Sequence, residues 1–128
     1  MKKDTKTVIG VLVLIVAAVV IVMAVSANRP RTPGKLDAFA ACLKTSGVVF
    51  YGAYWCSHCQ NQKAMFGKSE DLLPYVECSN PSGTGQTAIC TQKGIQGYPT
   101  WIFKDGSELT GEVPLDQLAQ KTGCALPQ

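Results

Sequence analysis

The strongest feature of the hydrophobic pattern is an unbroken apolar run at residues 8–25, with no charge and a single glycine, Gly10. As a helix it would extend about 27 Å, close to the roughly 30 Å of a bilayer's hydrocarbon core. Lys2, Lys3 and Lys6 precede it, and positively charged flanks stay on the cytoplasmic side. The pattern predicts a cytoplasmic N-terminus at residues 1–7, a single transmembrane anchor in the cell membrane at 8–25, and an extracytoplasmic remainder. A cleaved signal peptide is the alternative reading. Val25, Ser26 and Ala27 offer small residues at a cleavage point, although the apolar core exceeds the usual length of about 7–15 residues. Both readings export the rest of the chain.

Residues 26–34 hold two prolines and two arginines without apolar periodicity, the pattern of an extended linker with solvated charges. From there on the pattern alternates between helical and strand periods. Leu36, Phe39, Ala40 and Leu43 recur at helical spacing and predict a helix over 36–45, ended by Gly47. The apolar run that starts at Val48 predicts a buried strand over 48–53. Residues 60–67 contain no breaker before Gly67 and read as a short helix that opens near Cys56. Pro74 stops the next segment, and 75–78 reads as a short strand. Residues 80–85 are a loop by composition. Residues 86–93 form a short helix closed by Gly94. Residues 100–104 and 107–112 pair across an Asp105-Gly106 turn. Leu115, Leu118 and Ala119 mark a last helix that ends near Gly123. The order is α-β-α-β-α-β-β-α, one α/β domain over 35–128, with no internal repeat.

Charge and cysteine content narrow the class. Past residue 27 the chain has 101 residues, enough for a small core. Of the chain's net +3 charge, these residues carry +1, from 9 basic and 8 acidic side chains. That balance argues against nucleic acid as a partner. The six cysteines are an even number, which suggests a disulfide-permissive compartment.

The candidate chemistry lies in Gly52-Ala53-Tyr54-Trp55-Cys56-Ser57-His58-Cys59. A strand feeds a helix there, and Cys56 falls at the helix start. Free backbone N–H groups and the positive end of the helix dipole favour a thiolate at that point, and the thiolate is the nucleophile of disulfide chemistry. Two intervening residues let both sulfurs meet across the first turn. Cys56 is then the attacking thiol and Cys59 the resolving one. The competing readings are a permanent bridge or half a zinc site. Zinc would want a second cysteine pair or histidines at matched spacing, whereas Cys78 and Cys90 are twelve apart and His58 is the sole histidine. No metal site is therefore expected. An imidazolium at His58 would stabilise the Cys56 thiolate and make the disulfide form a better oxidant.

About forty residues on comes Gly97-Tyr98-Pro99-Thr100-Trp101. A strand, a Cys-x-x-Cys helix and a Tyr-Pro-Thr step opening another strand together resemble the thioredoxin superfamily. The resemblance implies a thioredoxin-like fold, a central mixed sheet flanked by helices, here preceded by one transmembrane helix. It also implies a cis Pro99 facing the cysteines and a substrate segment paired to the backbone at Tyr98. Tyr54, Trp55 and Trp101 would line an apolar rim, with core packing the other reading of Trp101. A narrower resemblance rests on Phe39-Ala40-Ala41-Cys42-Leu43, Tyr51 to Cys56, Tyr75-Val76-Glu77-Cys78 and the Tyr98-Pro99 motif. It is to the thioredoxin-like domain fused to, or working beside, bacterial homologues of vitamin K epoxide reductase. It implies a membrane partner of that kind, which oxidises the cysteine pair with a quinone, and exported cysteine-containing proteins as substrates. The domain itself would carry no cofactor. An isomerase or reductase of the same fold is one rival. A copper-binding assembly factor that uses Cys56, Cys59 and His58 without turnover is another.

Two departures from the family pattern matter. Ser57 stands where a proline is common. Phe50 stands six residues before Cys56, where thioredoxin-like proteins usually bury an acid that exchanges protons with the second cysteine. Phe50 reads as core packing, and its presence disfavours fast general reductase activity. Four cysteines remain, with three pairings among them. Cys78 ends a strand and Cys90 lies on the next helix, so a bridge there closes a short loop worth up to about 3 kcal/mol. In the implied fold the first and last helices both end opposite the active site. Cys42 and Cys124 are then within reach of each other, as a second bridge or as two free buried thiols.

Overall fold

The computed structural model describes residues 5–27 and 31–128. Residues 1–4 and 28–30, part of the expected cytoplasmic N-terminus and of the linker, lie outside them. The chain divides into two compact units, Met1–Thr32 and Pro33–Gln128.

In the first unit, helix α1 (Thr5–Ala27) runs 23 residues and buries none of its side chains. It extends beyond the apolar run at both ends because Thr5, Lys6, Thr7, Ser26 and Ala27 contain no breaker. It is long and apolar enough to cross a membrane, and it sits near the N-terminus, as a signal sequence also would.

The second unit is a four-stranded mixed sheet flanked by helices. Its elements are α2 (Asp37–Ser46), β1 (Val49–Gly52), α3 (Ser57–Ala64), a 3-10 helix (Gly67–Leu72), β2 (Tyr75–Glu77), α4 (Ala88–Gln92), β3 (Thr100–Ile102), β4 (Glu108–Thr110) and α5 (Leu115–Thr122). Spatial order is β2-β1-β3-β4. β1 pairs parallel with β2 and antiparallel with β3, and β3 pairs antiparallel with β4. The central strand β1 is thus hydrogen-bonded on both edges, as its continuous apolar run requires.

Alternation along β1 sends successive side chains to opposite faces. Phe50 meets its cross-strand partner Trp101 in a stacked pair, ring centroids 4.6 Å apart. Around them pack Phe39 and Leu43 of α2, Phe66, and Leu118 of α5. On the other face Tyr51 packs with Cys78, Cys90 and Ile95. Two disulfides brace these layers. Cys78–Cys90 ties the end of β2 to α4, and Cys42–Cys124 ties α2 to the segment after α5, with Cα–Cα distances of 5.5 and 5.8 Å.

The helix expected to run to Gly67 stops sooner. α3 ends at Ala64, and Phe66 turns inward to lie 2% exposed, stacked on Phe39. Gly67 then takes φ +53° and opens the 3-10 helix, which the polar stretch Gly-Lys-Ser-Glu-Asp-Leu did not announce. Its buried Ser69 accepts a hydrogen bond from the Leu36 N–H and donates one to Asp37 Oδ1, docking it against α2. The strands and the fourth helix are each shorter than their sequence patterns.

Candidate active site

Cys56 is the N-cap of α3, with extended backbone (φ −77°, ψ 116°) and no side chain capping the helix. No side chain competes with the sulfur for the first-turn N–H groups. The Cys56 thiol is 8% exposed and donates to the Tyr98 carbonyl at 3.7 Å. Tyr98–Pro99 is a cis peptide bond, so this loop and the helix start face each other across the sulfur. Both Cys56 and Cys59 are free thiols.

Cys59 lies one helical turn in and is 1% exposed. Burial pushes its thiol up to about 12 from an ordinary 9.0, and contact with Cys56 adds to the rise. A backbone hydrogen bond from Ala53 and the charge of Lys63 pull only partly the other way. Gly52 makes room for this sulfur. A Cβ there would stand 3.0 Å from Cys59 Sγ and 2.8 Å from the Tyr75 ring, closer than real Cβ contacts come. Phe50 is fully buried in the core cluster that also contains Cys59.

His58 is engaged by a carboxylate. Its Nδ1 is 2.7 Å from Glu112 Oε1, and its side chain is 68% exposed. Trp55 and Tyr54 are half exposed at the rim. The Trp55 indole donates to Ser79 Oγ at 2.9 Å and meets the Tyr98 ring edge-on at 6.0 Å. Trp101, by contrast, is fully buried and stacked on Phe50, so it belongs to the core and not to the rim. Cys78–Cys90 and Cys42–Cys124 stand apart from the active pair as bridges. Among the described residues no group of three or more His, Cys, Asp or Glu side chains is arranged to hold a metal ion.

Three polar residues that organise the site were given no role by the sequence. Glu77 accepts hydrogen bonds from the Tyr54 N–H (3.2 Å), the Ser79 N–H (2.8 Å) and the Tyr75 hydroxyl (2.7 Å). It thereby fixes the segment that leads into Cys56. The Tyr75 phenol is pushed well above its ordinary range, first by burial and then by Glu77. Gln62, fully buried on α3, accepts from the Val113 N–H (2.6 Å) and the Trp101 indole (3.3 Å) and donates to the Val113 carbonyl (3.0 Å). Glu112 receives both His58 and Asn61. The one available signal is spacing: His58, Asn61 and Gln62 share a face of α3.

The chain is similar in sequence to several known proteins. The chain is 44% identical over 95 residues to the thiol-disulfide oxidoreductase LTO1 of Arabidopsis thaliana, which is 71% of this chain and 25% of that protein. It is 36% identical over 88 residues to a probable protein disulfide-isomerase ER-60 of Schistosoma mansoni (59% and 17%). It is 29% identical over 115 residues to the protein disulfide-isomerase erp38 of Neurospora crassa (80% and 31%). The chain thus spans less than a third of the length of each of these relatives. The thioredoxin family model matches residues 35–122, which takes in every element from α2 to α5: the chain belongs to the thioredoxin family.

Proposed function

We propose that the chain is a membrane-anchored, outward-facing disulfide donor. A vitamin K epoxide reductase-like membrane protein oxidises Cys56–Cys59, and the domain passes the disulfide to exported proteins. The observation that carries the direction is the buried, protonated Cys59 with Phe50 in place of an acid.

In the donor direction a substrate thiolate attacks Cys56 Sγ. The Cys56–Cys59 bond breaks, and Cys59 leaves and takes up a proton. A second substrate thiolate then attacks its own sulfur in the mixed disulfide and displaces Cys56 as a thiolate at the helix start. The substrate loses two electrons and two protons; the pair gains both electrons and, on Cys59, one proton, and the other proton goes to solvent. The competing event is a return attack by Cys59 on Cys56, which hands the substrate back unchanged. A thiol pushed up to about 12 is almost wholly protonated at neutral pH, so that return is slow. In the reductase direction the same attack by Cys59 is obligatory, and the same protonation impedes it.

The partner rests on the motif resemblance, and the anchor on the apolar helix α1. The names of two relatives favour an isomerase as the second reading. Equilibration of Cys56–Cys59 against glutathione separates the readings. A potential of about −120 to −180 mV supports a donor or an isomerase, with the donor at the upper end, and one near −270 mV overturns both in favour of a reductase.

A further inference from the structure

Glu112 lies in the connection between β4 and α5, far from the cysteines in sequence, yet it is clamped beside them. Before it, Gly111 takes φ +84° and donates its N–H to the Pro99 carbonyl at 2.8 Å. After it, both backbone polar groups of Val113 are held by buried Gln62. Its carboxylate oxygen Oε1 accepts from the Asn61 amide at 3.0 Å and from the His58 ring at 2.7 Å. A carboxylate can only accept, so Nδ1 of His58 carries the proton. The same two contacts hold the Glu112 carboxyl below its ordinary range, Asn61 first and His58 second.

We propose that Glu112 is a positioning residue that restrains the oxidising power of Cys56–Cys59 by binding the imidazole of His58 and offsetting the positive charge that ring presents when protonated. An imidazolium between two such cysteines stabilises a Cys56 thiolate and with it the reduced pair, and a carboxylate bound to the ring offsets that effect. Reduction of Cys56–Cys59 adds two electrons, places one proton on Cys59 and releases Cys56 as the thiolate, which exchanges its proton with solvent, and the charge that Glu112 alters is the charge beside that thiolate. The inference rests on the redox reading of the pair but not on its direction. The wild-type potential tests that reading, and differences among variants test this one.

The measurement is the equilibrium constant of the full-length chain in detergent micelles with a glutathione buffer, read by alkylation of Cys56 and Cys59. Glu112→Gln keeps the shape and removes the charge. It should shift the equilibrium toward reduced protein by about fivefold, the scale of an exposed ion pair, or some 20 mV for a two-electron couple. In the His58→Ala background the same substitution should shift it by less than about twofold, because the effect passes through the ring. Asn61→Ala, which removes the other contact on Oε1 but leaves the charge and the histidine, should also stay within about twofold of wild type. The proposal is overturned by an unchanged equilibrium in Glu112→Gln, by a shift of the opposite sign, by an equal shift without His58, or by Asn61→Ala matching Glu112→Gln.

Discussion

Cys59 shows how much chemistry one burial can carry. Folding holds a proton on this thiol that the unfolded chain releases from about pH 9 upward. The folded state therefore binds more protons than the unfolded state between pH 9 and about 12, and stability falls as pH rises through that window. Disulfide formation removes the titrating thiol. Melting temperatures of reduced and oxidised protein should diverge above about pH 9, with the reduced form losing more; parallel curves would remove burial of Cys59 as the cause. A second outcome concerns turnover. Cys59→Ser leaves Cys56 without its internal resolving thiol, so mixed disulfides with substrates should accumulate roughly tenfold over Cys56→Ser on non-reducing gels. Cys56 and Cys59 were legible from their spacing and the helix start, whereas Pro99 and the rim aromatics came only with the family resemblance, and Trp101, expected at the rim or in the core, lies in the core. Glu77, Gln62 and Glu112 were not legible. Their partners lie up to 51 or 54 residues away, and such pairings exist only once the sheet has brought its edges together.

At the scale of elements, apolar runs and periods, breakers and turn signals together identified every strand and α-helix in order and missed only the 3-10 helix, whose one buried anchor is a serine. Boundaries were overestimated where a core residue, Phe66, turned the chain before its breaker did. The junction between α3 and the β4–α5 connection hangs on Gln62. Gln62→Leu would leave the Val113 N–H, the Val113 carbonyl and the Trp101 indole without protein partners in a buried site. At about 1–3 kcal/mol for each unsatisfied buried group, with some recovered by the apolar side chain, the loss should be about 3 kcal/mol. Urea denaturation of the oxidised protein measures it, and a change under about 1 kcal/mol would mean water replaces the amide.

For the whole molecule, the two units pose separate questions. The apolar helix α1 should keep the full-length protein in membranes through a carbonate wash, with its N-terminus intact. A mature N-terminus at Asn28 would replace the anchor by a cleaved signal peptide and leave export untouched. In the other unit, the bridge between Cys42 and Cys124 spans 82 positions. It gives the fold a mechanical property of its own. Tension applied between the chain that enters α2 and the C-terminal tail passes through one covalent bond and leaves the sheet unloaded. In a single-molecule tether the bridged domain should therefore lengthen by only a few residues at any force short of bond rupture. Cutting this bond while Cys78–Cys90 stays closed should release about 240 Å of contour in a step, at roughly 3.5 Å per residue over the 82 positions less the 12 that the second bridge holds back.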